Sequence, residues 1–420
     1  MGRVTQAIKR GMRSLFIVVK LYHFLTFIQS GIKIGFMHHD LYIHVPFCVS
    51  KCGYCAFHST VTAPDWKDYA ANVTRDIEFW AKRLSSQVPD NFCAGAKISG
   101  MTQVPTVFFG GGTPSLMPGE TFAQIMDAVR KNFDVAKTCE ITIEANPGTI
   151  DTARLQEFIN AGANRISIGV QSLDDDVLKF LGRRNEALDA RKLVAAAQNS
   201  GIRVSCDFIY GLPNQTVQDV RKMCRDILDL GISHASLYEL SIEPGTPFAA
   251  QNIQVPANET CAEMYNAIGE EFLPRYEISN YAAPGHECRH NQNIWAGEPY
   301  IGIGPSAAGR IFTGGQWFET IDGKIEAMDA KTRGVEKIIL GLRTVRGVAL
   351  TDDVRAVIDW NFVNNNMELF IITPPKTSCG SPPACQAEPI PPHQGAGKIS
   401  LAGQSLLVLD SLLPKIIGIC

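Results

Sequence analysis

Leu41-Tyr42-Ile43-His44-Val45-Pro46-Phe47-Cys48-Val49-Ser50-Lys51-Cys52-Gly53-Tyr54-Cys55 reads as a short buried strand running directly into three clustered cysteines. Working outward, the same grammar repeats: a short apolar run, a polar or glycine-rich turn, then a longer helical pattern. Strands are predicted at Leu41–Val45, Thr106–Phe109, Glu140–Glu144, Arg165–Val170, Arg203–Ile209 and Ala235–Leu240. Helices are predicted at Asp65–Leu84, Gly119–Asn132, Asp151–Ala161, Asp174–Leu181, Ala187–Ser200 and Gln215–Leu230. Asp151 and Asp174 suit helix starts, and Gly162, Gly201 and Gly231 suit the left-handed caps that end helices. Alternating strand and helix argues for a parallel sheet. The fold class is therefore α/β, a partial (β/α)6 TIM-like barrel; a complete barrel would need two more units.

Chemically distinctive residues gather just past the strand ends, at the mouth where this architecture builds its sites. The first strand leads to Cys48, Cys52 and Cys55, and the second to Gly110-Gly111-Gly112-Thr113-Pro114. Glu144 ends the third, with Asn146-Pro147-Gly148 beyond it, and Gln171 follows the fourth. Asp207 lies near the end of the fifth, before Gly211-Leu212-Pro213, and the sixth runs to Glu243-Pro244-Gly245-Thr246. Three thiolates at this spacing can hold three corners of a 4Fe–4S cube and leave one iron open. An amino and a carboxylate group can chelate that iron. S-adenosylmethionine (SAM) offers both, and an electron from the cluster can cleave its sulfonium bond to a carbon radical. The competing reading is a zinc knuckle with His58 as fourth ligand. Structural zinc usually draws on two spaced pairs, and no second pair is evident. The glycine run lets backbone approach a ligand, with N–H groups free for a carboxylate. Asp207, in an apolar run, needs a partner such as a ribose diol; Arg183 could pair with a ligand carboxylate. The alternative for Glu144, Gln171 and Asp207 is a helix cap or satisfied core polar groups.

The rest of the 420 residues sets the context. Hydrophobic content of 45%, charged content of 19% and a net charge of −3 describe an ordinary globular chain with nothing to steer it to nucleic acid. Twelve cysteines, clustered only at the first strand, fit a reducing compartment and a metal site better than a disulfide framework. Residues 1–39 contain no Asp or Glu but carry Arg3, Lys9, Arg10, Arg13, Lys20 and Lys33 among apolar residues. That composition reads as a mitochondrial targeting leader; the alternative is a start near Met37 and a cytoplasmic protein. Lys20 and His23 keep its apolar run below the ~18 residues of a membrane span.

Expected domains are a barrel over 40–250, an extension over 251–346 and a C-terminal domain over 347–420. Within these, helices are predicted at Asn258–Leu273, Glu336–Thr344 and through Lys398–Ile417, and a Pro/Gly-rich loop at Thr373–Gly397.

Several motifs carry a family resemblance. Tyr42–Cys48, the three-cysteine run, Gly110–Pro114, Gly169-Val170-Gln171-Ser172, Asp207–Pro213, Cys288–Trp295 and Tyr300–Pro305 resemble the HemW group of radical SAM proteins, in its mitochondrial form. These are relatives of the oxygen-independent coproporphyrinogen III oxidases, and the match spans about Asp40 to Arg346. It implies cluster ligation by Cys48, Cys52 and Cys55, and contacts from Tyr42, Gly111 and Glu144 to one SAM. Tyr54, Gly112, Thr113, Gln171, Arg183 and Asp207 match positions around a second SAM in the oxidases. Phe57 stands where the true oxidases carry another cysteine, as it does in the HemW group. That favours heme binding, and delivery to an acceptor protein this sequence does not name, over radical decarboxylation of a porphyrinogen propionate. An electron donor is implied in either case. Cys288 or His290 is then a possible heme ligand; the alternative for His290 is a supporting or purely structural role. The chain departs from the family in having Ile294 for tyrosine, Asn185 for histidine, and the 373–397 insert.

Overall fold

The computed structural model describes residues 38–85, 101–321, 323–373, 397–402 and 409–418. From His39 onward the chain forms one unit. The predicted strands are β1 (Asp40–Val45), β2 (Gln103–Gly111), β3 (Asp134–Ala145), β4 (Arg165–Gln171), β5 (Arg203–Tyr210) and β6 (His234–Glu239). Each pairs in parallel with the next in chain order. Burial on both faces is what a helix-covered parallel strand requires; in β4 every residue but Gln171 is buried.

The helices between them bury one stripe each. In Trp66–Ser85 the buried positions Val73, Ile77, Trp80, Ala81 and Leu84 recur at helical period and face the sheet core. Asp151 and Asp174 start their helices as expected, accepting from Arg154 N–H and from the N–H groups of Asp176 and Val177. Thr216 and Asp219 form a reciprocal capping box for Val217–Leu228.

Beyond β6 the chain holds more sheet than its sequence suggests. It contributes β7 (Asn280–Ala282), β8 (Tyr300–Ile303), β9 (Ala308–Thr313), β10 (Gln316–Ile321) and β11 (Lys324–Met328). The eleven strands lie in the order β11-β10-β9-β8-β1-β2-β3-β4-β5-β6-β7. Strand β8 is a seventh parallel member, paired with β1; β7 and β9 to β11 run antiparallel to their neighbours.

A three-stranded sheet, β12 (Val348–Ala349), β14 (Lys398–Leu401) and β13 (Phe370–Thr373), gathers a second core around Ile338, Val354, Val363, Ile399 and Leu412. Two expectations are corrected here. Lys398–Leu401 is a strand, and the helix of that stretch is Leu409–Ile416. The helix expected at Glu336–Thr344 is Ala330–Gly341. Residues 1–37, and all of the Pro/Gly-rich loop except Thr373 and Gly397, lie outside the described residues. Among the described residues no helix is long and apolar enough to cross a membrane.

Candidate metal centre at the strand ends

The carboxyl ends of β1 to β6 surround a cavity of about 680 Å³. Of the predicted cluster and SAM residues, Cys48, Cys52, Tyr54, Cys55, Gly111, Gly112, Thr113, Glu144, Gln171, Arg183 and Asp207 all line it. Tyr42 stands beside it within the sheet. Its hydroxyl donates to His44 Nδ1 (3.0 Å), and its ring stacks on Phe108.

The cysteine loop is tied down along its length. Cys48 N–H donates to Thr60 O (2.9 Å) and Thr60 N–H to Pro46 O (2.7 Å). His44 Nε2 donates to His58 O (3.0 Å), which fixes the imidazole tautomer because the carbonyl can only accept. Gly53 is clasped between Leu181 O and Phe248 N–H. The glycine run plays a different part from the one expected. Its N–H groups are consumed by the protein: Gly111 by Glu144 Oε2 (3.1 Å), Gly112 by Val45 O (2.8 Å) and Thr113 by Phe47 O (2.8 Å). What glycine supplies is closeness. A Cβ on Gly112 would lie 2.7 Å from Phe47 O and 3.0 Å from Cys48 Sγ, and Gly111 holds a φ of +117°.

The donor set fits an iron–sulfur cluster. The three thiols are half-buried and each faces a donor. Thr113 Oγ1 donates to Cys48 Sγ (3.5 Å), Arg183 Nη1 to Cys52 Sγ (3.8 Å), and Phe57 N–H to Cys55. Burial pushes the Cys55 thiol up, and the adjacent Cys52 and Cys48 push it further. Crowded soft thiols of this kind are relieved by a polynuclear iron centre. His58 is turned toward His44, with ring centroids 6.0 Å apart.

Deeper in the cavity two carboxyl groups share the wall. Burial, then the charge of Asp207, pushes Glu144 up to about 8; the Gly111 N–H and Arg165 oppose this. Burial also raises Asp207, against hydrogen bonds from Ser236 and Ser167 and the charge of Arg165. Ser167 Oγ approaches both Asp207 oxygens (3.3 and 3.4 Å), so protein hydroxyls meet part of the need first assigned to a ribose. Gln171 sits at a register shift between β4 and β5 with φ of +66°, a bulge that aims it into the mouth. Arg183, expected to await a ligand carboxylate, instead binds Asn146 Oδ1 (2.7 Å) and Gly169 O (2.6 Å). Asn146 had no role in the sequence reading; its only signal there was its place directly after a strand end.

Cys288 and His290 are not brought to the mouth. Cys288 is fully buried and His290 4% exposed, and neither lines the cavity. Both sit near the start of the strands, where Glu140 accepts from the N–H groups of Arg289 and His290. His290 stacks on Phe108 (5.0 Å) with Nδ1 2.7 Å from Thr106 Oγ1. The Thr106 hydroxyl donates to Asp40, so it must accept from His290, which carries its proton on Nδ1. These two possible heme ligands thus lie as packed polar groups at the base of the sheet, the placement that the structural alternative describes.

A parallel sheet with three cysteines after its first strand defines the class. Residues 42–227 match the radical SAM superfamily. The chain is 37% identical to heme chaperone HemW of Escherichia coli over 280 residues, 65% of this chain and 70% of that protein. With HemW of Haemophilus influenzae identity is 35% over the same shares. With the bovine mitochondrial radical S-adenosyl methionine domain-containing protein 1 it is 37% over 322 residues, 74% of this chain and 70% of that one. The chain belongs to the radical SAM family that these proteins form, a family that implies a 4Fe–4S cluster and SAM. Its fold is shared with the coproporphyrinogen III oxidase HemN of Escherichia coli (TM-score 0.68, 19% identity, 92% of each chain).

Proposed function

We propose that this chain is a mitochondrial heme chaperone. In this reading Cys48, Cys52 and Cys55 hold a 4Fe–4S cluster, SAM binds in the mouth cavity, and heme is carried as cargo to an acceptor protein. The observation that carries it is identity of 35–37% with HemW proteins over 70% of their length, together with a cavity lined by the matching residues. The mitochondrial assignment draws on residues 1–39 and on relatives named mitochondrial. Residues 40–250 form the cluster-bearing barrel, 251–346 its extension and 347–420 a diverged C-terminal domain.

When bound, a cluster with one open iron supplies the electron that cleaves SAM to a carbon radical, and an external carrier must provide that electron. The chain's own residues prepare the place. Gly112 seats the cysteine loop on β2, and Tyr42, Gly111 and Glu144 flank one SAM position. Tyr54, Thr113, Gln171, Arg183 and Asp207 frame the adjoining space. Glu144, largely protonated near neutral pH, can donate to a ligand oxygen as well as accept.

Anaerobic reconstitution of the full chain tests this. Loaded protein should bind SAM, retain heme through gel filtration with a Soret band, and pass it to an apo-heme protein. Absence of heme retention overturns the chaperone reading. Formation of protoporphyrinogen from coproporphyrinogen III, SAM and reductant would make the chain a decarboxylase instead.

A further inference from the structure

Asn146, in the turn after β3, is held from both sides. Its N–H donates to Ser115 Oγ (3.3 Å), and its carbonyl accepts from the Thr149 hydroxyl (2.7 Å) and N–H (3.2 Å). The side chain so placed is used at both ends. Oδ1 accepts from Arg183 Nη2 (2.7 Å) and Nδ2 donates to Thr113 Oγ1 (3.0 Å). A guanidinium has only donors, so the amide atom facing it must be oxygen, and the amide nitrogen must face Thr113. With its lone pair engaged by Asn146, the Thr113 hydroxyl turns its hydrogen to Cys48 Sγ (3.5 Å). At the other end Arg183 keeps Nη1 3.8 Å from Cys52 Sγ. The wall behind is shaped for this amide: a Cβ on Gly169 would lie 2.6 Å from Asn146 Oδ1.

The chain of bonds has one polarity. Positive charge enters at Arg183, and donors face sulfur at both ends. Hydrogen bonds and cations at cluster sulfurs favour the reduced, more negative state and raise the reduction potential. Linked hydrogen bonds also polarise one another.

We propose that Asn146 is a positioning residue that sets the cluster's reduction potential, by holding Arg183 and Thr113 as donors against the sulfurs of Cys52 and Cys48. This rests on the reading of the three cysteines as cluster ligands. It assigns Arg183 to the cluster rather than to a ligand carboxylate.

The test is a redox titration of the reconstituted full chain without SAM, followed by visible absorption and electron paramagnetic resonance. Asn146→Leu keeps the volume and removes both hydrogen bonds. Its reduced-to-oxidised ratio at a fixed potential should fall about tenfold, a midpoint lower by about 59 mV for one electron. Gly169→Ala, which pushes Asn146 off from behind, should move the midpoint the same way, and it serves as the probe if the first variant does not fold. Variants that load iron and sulfide like the wild type yet keep its midpoint overturn the proposal. So does an unchanged midpoint with weakened SAM binding, which would return Arg183 to ligand recognition. Failure of the wild type to load iron would strike the cluster reading itself.

Discussion

His290 offers a direct measurement of what its burial does. Its imidazole is lowered from 6.5 to about 4, by desolvation first and by the charge of Arg165, with the charge of Glu140 opposing. An unfolded chain takes up a proton near pH 6.5 while the folded chain does so only near 4, so the unfolded state binds more protons between those values. Stability is therefore fully present above pH 6.5 and lost as pH falls toward 4. At about 1.36 kcal/mol per unit, the loss from this one group is about 2 kcal/mol by pH 5 and about 3 kcal/mol by pH 4. Urea unfolding of the metal-free chain at pH 8, 6, 5 and 4, compared with His290→Gln, isolates the term, because other groups titrate in both proteins. The variant should be less stable at pH 8 by roughly 1–3 kcal/mol, through the disturbed bond to Thr106, yet converge on the wild type as pH falls. Parallel curves would refute the assignment of His290 as a buried neutral group. The same variant should keep its heme Soret band, since the side chain faces Thr106 and Phe108; loss of that band with the fold intact would restore His290 as an iron ligand.

Other outcomes follow from the geometry. Changing Cys48, Cys52 or Cys55 singly to Ala should abolish the visible absorption of the reconstituted protein and bring bound iron to background. Gly112→Ala forces a Cβ against Phe47 O at 2.7 Å and should cost about 1–3 kcal/mol; iron analysis should show reduced loading while circular dichroism is retained. Phe109→Ala removes a fully buried ring packed 4.7 Å from Phe122 and should lower unfolding free energy by about 3–5 kcal/mol, read by urea denaturation.

The parallel sheet was legible because six of its strands are short, mainly apolar or alternating runs set between helices with one buried stripe and, at Asp151 and Asp174, a side chain that caps. What escaped has physical reasons. The helix at Ala330–Gly341 buries Arg333, Gly334 and Gly341 along with Ile338, a face without apolar periodicity. Arg333 is tolerated there because its guanidinium lies 3.8 Å over the Trp317 ring. Lys398–Leu401 was absorbed into the leucine-rich rhythm that follows it, although a four-residue strand needs only partners, here β12 and β13. In the site, residue types at strand ends were readable, but their engagements were not. Asn146, Thr113 and Arg183 lie far apart in sequence, and only folding reveals that the glycine-run N–H groups and the Arg183 guanidinium already have partners. Cys288 and His290 were chemically suggestive, and only the fold puts them at the base of the sheet. Nothing in a linear motif says which end of a sheet it will close.

The place of β8 beside β1 has a bearing on how the molecule is made. Until Tyr300–Ile303 arrives, the outer side of β1 offers unpaired N–H and C=O groups, a template for any passing extended chain. A ribosome releases the first six strands well before the one that seals this flank, so the nascent protein lives through an interval in which it is adhesive. Shortened products ending before Tyr300 should clump rather than linger as half-sized soluble folds.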